Sequence, residues 1–392
     1  LPSNFNLGEG ADFSNECGLN GVTNPASCRP EYLGQLQPYQ LYVPTAQTPP
    51  EGYGMTLLLH SLSTNYNQFI DTRNQSQFAN RGKPSLVVTP EARGPDQSYE
   101  GYGAADVFEA WADVARLYKL DPTYSATTGY SMGGFGSFKL AAQFPDLFAR
   151  IQPVVGAESN NDVLASLRNI PVLMWNTHGD ELANEADFQS TAAKLQSLGY
   201  RHELDAFQPC ALAPMPQNCS PLFPNHLELS VNDQFAPAAA FVGQAKVNLN
   251  PPHVTYVLDA ERNRSSAGVV GDHAYWLSGL TLRSTAQTAS NGDPEGQIDA
   301  ASQGFGTGDP SASGEQLGTG TLSGGNLGDL TFTRQFQGWG PTPSAQKADA
   351  INITATNIAT MTIDARRARV DCHAKLNIKS DGPLKVTMAD CP

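Results

Sequence analysis

The sequence comprises 392 residues, enough for more than one compact domain. Lys and Arg number 24 against 38 Asp and Glu, and the resulting formal charge of -14 excludes the basic footprint of a nucleic-acid surface. With 16% charged residues, 36 Gly and 28 Pro, the composition also excludes a coiled coil, a helical bundle and a disordered polyampholyte.

The first forty residues carry Cys17 and Cys28 but no clear periodic element. From Tyr39 to about Gly243, short apolar runs alternate with amphipathic segments, which predicts a largely parallel sheet covered by helices. Strands are expected at 40–43, 55–60, 85–89, 125–129, 151–155, 171–176 and 201–207. Helices are expected at 105–118 and 187–198, where apolar residues recur at spacings of three and four, the second ending at Gly199. No apolar run approaches the roughly 20 residues needed to cross a bilayer, so no membrane span is expected.

Beyond about Pro251 the texture becomes all-β, with candidate strands at 253–258, 274–283, 330–336, 351–355, 361–365, 376–379 and 384–388. Residues 284–328 are rich in Gly, Ser, Thr and Asp and read as a linker or as long loops. The expected division is therefore a catalytic unit over 1–250, with an N-terminal extension, and a β-rich accessory unit over 251–392.

Six cysteines fall into three local pairs, Cys17 with Cys28, Cys210 with Cys219 and Cys372 with Cys391. None forms a CxxC metal knuckle, so disulfides and an oxidising, extracellular compartment are expected. The chain begins at Leu1 rather than Met, as it would after removal of a signal peptide.

Gly129-Tyr130-Ser131-Met132-Gly133-Gly134 holds the chain's G-x-S-x-G. Its context makes it specific: a β-prone run precedes it and an amphipathic stretch, 135–143, follows it, giving the strand, turn and helix of a nucleophile elbow. A serine hydroxyl is a weak nucleophile near neutrality and needs a base, itself oriented by a carboxylate. On this scaffold the chain order is Ser, acid, His. Asp180, after the strand at 171–176, is the expected acid; Glu181 is its nearest rival, and a helix cap is the structural alternative for either.

His226, the first histidine after the strand at 201–207, is the expected base. His273 is the rival and would have to reach back from the β-rich unit. His178 lies too close in sequence to Asp180 to be fed by it. His60 ends a strand and is expected to shape the oxyanion loop, while His202, His253 and His373 read as structural or solvated. Two donors must meet the developing oxyanion. The Met132 N–H is one, and Leu62, with Ser61 as alternative, supplies the other. Tyr130 is expected to bind substrate because it adjoins the nucleophile.

The span from about Tyr42 to Gly243 resembles the α/β-hydrolase domains of prolyl oligopeptidase-like enzymes, esterase D-like enzymes and secreted polyhydroxyalkanoate depolymerases. Asp121-Pro122, the run from Thr127 through Gly134, and Phe144-Pro145-Asp146-Leu147-Phe148 carry the likeness. It implies an α/β-hydrolase domain with Ser131, Asp180 and His226 as nucleophile, acid and base. The early loop departs from the pattern, reading His60-Ser61-Leu62 where a His-Gly pair is usual.

These features lead to the expectation of a secreted, monomeric serine esterase without cofactor or metal, acting on carboxylic esters, polymeric ones included. A peptidase of prolyl oligopeptidase type is one alternative, and a noncatalytic surface protein on a hydrolase scaffold is another.

Overall fold

A computed structural model describes residues 1–12, 31–210, 223–286, 288–289 and 291–391. Cys17, Cys28 and Cys219 lie outside the described residues.

The central sheet is built on runs that bury both faces. Strands β1 (Tyr39–Tyr42), β2 (Tyr53–Leu59), β3 (Ser85–Pro90), β4 (Leu120–Tyr130), β5 (Arg150–Val154), β6 (Val172–Thr177) and β7 (His202–Phe207) follow one another along the chain. Every residue of β2, β3 and β6 is buried, as parallel strands between two helical layers require. The period of two then sorts side chains between layers: Met55, Leu57 and Leu59 enter one core and Leu58 the other.

Helices α2 (Gly101–Leu117), α3 (Met132–Gln143) and α4 (Glu185–Ser197) bury their apolar stripes in the first core. Helices α1 (Arg73–Ala79) and α5 (Ala236–Val242) cover the second. Strands β2 to β7 pair in parallel in the order β7-β6-β5-β4-β2-β3, and β1 closes the far edge antiparallel to β3.

The C-terminal part is β-rich, with strands β8 (His253–Asp259), β9 (Leu277–Leu282), β10 (Glu295–Ser302), β11 (Gln316–Gly325), β12 (Gly328–Gln337), β13 (Ala350–Thr356), β14 (Ile358–Asp364), β15 (Lys375–Ser380) and β16 (Lys385–Ala389). Four of them form a sheet ordered β8-β10-β13-β15 and three form another ordered β9-β14-β16. Both sheets feed one core containing Val254, Trp276, Ile298, Ile351 and Met361. Cys372 and Cys391 are bridged as expected, with their Cα atoms 5.5 Å apart.

The structure corrects two expectations here. Residues 284–328 are not a linker, because they contain the whole of β10 and β11. The division at 250/251 is also crossed in space: β12 pairs antiparallel with β7 from Phe332 opposite Phe207 to Gln337 opposite His202, and β11 extends the same sheet to nine strands. A parallel sheet ending at β7 would leave a row of unpaired main-chain groups, and the hairpin covers them. Arg334 fastens it through both oxygens of Asp205, at 2.6 and 2.8 Å. Val257 and Val269 likewise enter the core of the first unit.

Candidate active site

Ser131 sits in the turn between β4 and α3 with φ 53° and ψ -115°, a backbone conformation that non-glycine residues rarely adopt. The surrounding glycines let strand and helix close on it. A Cβ on Gly133 would lie 2.0 Å from the Leu59 carbonyl oxygen, and one on Gly129 would lie 2.4 Å from that of Gly133. The serine amide donates to Val154 O at 2.9 Å, and Ser131 O accepts the Phe135 amide at 3.0 Å, so the elbow is held on both sides.

A mostly parallel sheet, helices on both faces and a strained serine elbow at the carboxyl end of a central strand define the architecture. This is an α/β-hydrolase fold. The loops that carry Asp180 and His226 follow the later strands β6 and β7 and return to the same edge.

The structure brings three predicted residues together there. His226 Nε2 lies 2.9 Å from Ser131 Oγ, and His226 Nδ1 lies 2.8 and 2.9 Å from the two carboxylate oxygens of Asp180. Asp180 has a fully buried side chain, and its Oδ1 also accepts the amides of Leu182 and Ala183 at 2.8 and 2.7 Å. Both imidazole nitrogens are thus engaged, which orients the ring.

Glu181, the rival acid, does a different job. Its two oxygens accept the amides of Asn225 and His226, each at 2.9 Å. The Asn225 side chain returns the contact, donating to Gly179 O at 3.0 Å. The turn carrying the acid is therefore stapled to the turn carrying the imidazole.

His273, the rival base, is remote. It stands against Asp146, Asp272 and Phe144, at the carboxyl end of α3, whereas Ser131 caps the amino end. Twelve helical residues separate the two ends by about 18 Å. His178 contacts Glu185 and Thr333, His202 contacts Tyr200 O, His253 lies between Asp299 and Asp309, and the amide of His373 donates to Asp371.

Tyr130 corrects an expectation. It is 2% exposed, its ring joins the second core, and its hydroxyl donates to the main-chain carbonyl of His226 at 2.5 Å while accepting the Ser230 amide at 3.2 Å. It holds the loop of the imidazole and does not face substrate. Tyr130 is the last residue of β4 and its side chain enters the second core, whereas Ser131 stands in the turn that follows. Burial pushes the phenol well above its ordinary range, which keeps it a donor.

Met132, Gly133 and Gly134 open α3, where amides have no intrahelical acceptor. In the early loop, the Ser61 N–H is taken by Gln68 Oε1 at 2.7 Å, and the Leu62 N–H has no partner among the described hydrogen bonds. His60 is wholly buried beneath this loop, with Nδ1 3.0 Å from Ser61 O and Nε2 3.0 Å from Glu91 O, and burial lowers its basicity. Tyr99 donates to His60 O at 2.9 Å. It reaches that position because Gly136 leaves room: a Cβ there would lie 2.4 Å from the tyrosine ring.

Sequence reasoning did not find Gln68, Tyr99 or the anchoring part played by Glu181. The extra glycine at 136 was the one local sign of Tyr99. Trp175 and Trp276 are buried and donate to Asp205 and to Pro251 O. No group of three or more His, Cys, Asp or Glu side chains suited to a metal occurs among the described residues. Cys210 is disulfide-bonded, and the loop of its expected partner Cys219 lies outside the described residues.

No protein-family model matches the sequence, and no curated protein matches it. Among solved structures, a thermostable esterase is similar at 19% identity with a TM-score of 0.39, covering 52% of this chain and 55% of that one. A ferulic acid esterase is similar at 14% identity and a TM-score of 0.40, covering 59% and 95%. An S-formylglutathione hydrolase from Staphylococcus aureus is similar at 18% identity and a TM-score of 0.37, covering 51% and 86%. The alignment with the first of these spans little more than half its length. At these identities the likeness concerns fold in part of each chain.

Proposed function

We propose that the protein is a secreted serine hydrolase of carboxylic esters that works through an acyl-enzyme, with Ser131 as nucleophile, His226 as base and Asp180 as orienting acid. The observation that carries this proposal is the continuous line of contacts from Ser131 Oγ through both nitrogens of His226 to Asp180, at 2.9 and 2.8 Å.

Asp180 accepts the Nδ1–H of the neutral imidazole, which leaves the Nε2 lone pair facing the serine. His226 Nε2 takes the Oγ proton as Oγ bonds to the ester carbonyl carbon. The carbonyl oxygen, now an alkoxide, is met by the N–H of Met132 and the N–H of Leu62; such donors matter by a factor of about 100 to 1,000 each. The imidazolium then passes its proton to the departing alcohol, leaving Ser131 acylated. Water, deprotonated by His226, releases the acid and restores the serine.

Polymeric esters fit the surroundings of the serine. Leu62, Leu182 and Leu227, on the oxyanion, acid and base loops, are 47%, 75% and 46% exposed. Apolar side chains on three loops around one nucleophile suit an extended apolar chain. The Cys372–Cys391 bridge and the bonded Cys210 support an oxidising compartment.

The test compares nitrophenyl esters of graded acyl length, aminoacyl anilides and polyester films with one preparation. Ester turnover with an initial burst of nitrophenol and release of acid from the film is expected. Anilides turned over faster than esters would replace this assignment with an amidase. Inertness of a folded protein toward all three would favour a noncatalytic scaffold.

A further inference from the structure

A second charged site lies at the opposite edge of the sheet. Arg150 is the first residue of β5 and Arg201 immediately precedes β7, so both stand at the amino ends of parallel strands, whereas Ser131 follows the carboxyl end of β4. Five residues of strand separate the edges by about 16 Å. Both arginines line a cavity of about 430 Å³ together with Arg168, Lys246, His253 and Trp339.

The other cations in this cavity are matched. Arg168 pairs with Asp309 at 2.7 Å, which also lines the cavity, and His253 lies 2.9 Å from each of Asp299 and Asp309. Lys246 pairs with Asp121 at 2.7 Å. Arg150 and Arg201 have no carboxylate within ion-pair distance among the described residues. Arg150 donates to Phe241 O, Arg201 Nη2 donates to Asn169 O at 3.2 Å, and Arg201 Nε is buried without a partner. Each guanidinium has five N–H donors, so most of this capacity is unspent.

Aromatic rings fix both guanidinium planes. Arg201 lies over Trp339 at 4.3 Å and Arg150 over Phe241 at 4.9 Å. Two preoriented, half-buried cations without counter-charge are costly to hold in a protein with so many carboxylates available. Burial depresses both, and the charge of Arg150 adds to the effect on Arg201, which is lowered to about 10.

We propose that this cavity is an anion site that takes a tetrahedral dianion: free phosphate, free sulfate or the head group of a phosphate monoester. Two positive charges match the ligand's charge, and the planar donor forks match its oxygens. The cavity has room for an organic remainder beside the head group.

Isothermal titration of the full chain with inorganic phosphate, inorganic sulfate and phenyl phosphate, at matched ionic strength in sodium chloride, tests this. Saturable binding of one equivalent is expected for at least one probe. Tighter binding of phenyl phosphate would identify an esterified head group, and equal or tighter binding of inorganic phosphate or sulfate a free ion. Arg150→Gln and Arg201→Gln should each weaken binding at least about tenfold. Lys246→Gln should change it less than about threefold, its charge being spent on Asp121. Ester hydrolysis should be retained in all three variants. If a glutamine variant fails to fold by circular dichroism, Arg150→Lys or Arg201→Lys, which keeps the charge and loses the fork, should still weaken binding. Absence of saturable heat with every probe, or unchanged binding in the folded arginine variants, would overturn the proposal.

Discussion

The Tyr130 hydroxyl donates to the carbonyl oxygen of His226 at 2.5 Å, tying the strand that presents the serine to the turn that presents the imidazole. The two residues are 96 apart in sequence, and their rings meet edge to face with centroids 6.0 Å apart. Tyr130→Phe keeps the ring and removes the tie. Since a displacement of about 1 Å in a positioned group costs on the order of a hundredfold, kcat should fall by about tenfold or more with KM little changed. Steady-state kinetics beside a thermal melt would check this, and unchanged kcat would reduce Tyr130 to packing.

A fluorophosphonate should label the protein once, at Ser131, and Ser131→Ala should abolish both labelling and turnover while the protein stays folded. Only a hydroxyl beside a base and oxyanion donors is readily phosphonylated. Peptide mapping of the adduct decides, and modification at another serine would remove the assignment.

His226→Ala should lower kcat by several orders of magnitude, because loss of the base disables the unit. His273→Ala should leave it within about threefold, since that imidazole stands at the far end of α3. The reverse pattern would contradict the proposed proton path.

The neighbouring acids separate by role. Asp180→Asn should reduce kcat by about 10,000-fold through the wrong imidazole tautomer. Glu181→Gln keeps one oxygen acceptor for the amides of Asn225 and His226, so a loss below about tenfold is expected. Comparing kcat for the two variants distinguishes orientation of the ring from support of its turn.

Buried carboxyls set a stability trend with pH. Glu228 accepts the Cys210 amide at 2.7 Å, its other oxygen is buried without a partner, and burial raises it to about 7. Between the ordinary carboxyl range, near 4.3, and 7 the folded chain keeps a proton that the unfolded chain has released, so stability falls as pH rises through that window. Glu91, Asp106 and Glu295 are raised to about 7, again chiefly by burial, and act in the same direction. The melting temperature should therefore drop from pH 5 to pH 8, and Glu228→Gln should shrink the drop. Calorimetry at intervals of one pH unit measures both, and an identical slope in the variant would exclude Glu228 as a contributor.

The sequence by itself determined the elbow, because Ser131 and its glycines are neighbours in the chain and their geometry follows from the local absence of side chains. It also placed the seven sheet strands of the first unit, of which β2, β3 and β6 are buried at every residue, and set the order in which Ser131, Asp180 and His226 appear. Tertiary structure alone brought a histidine onto the serine and a carboxylate onto that histidine. His226 lies 95 residues from Ser131 and 46 from Asp180, and no local periodicity encodes contacts at such distances. The same holds for the hairpin that covers β7. Its first strand, Gln316–Gly325, is poor in apolar side chains and becomes a strand because β12 supplies its hydrogen-bond partners. Tyr130 shows the limit most sharply: it is the neighbour of Ser131 in the chain, while packing in the second core turned its side chain inward, where its hydroxyl holds the His226 carbonyl.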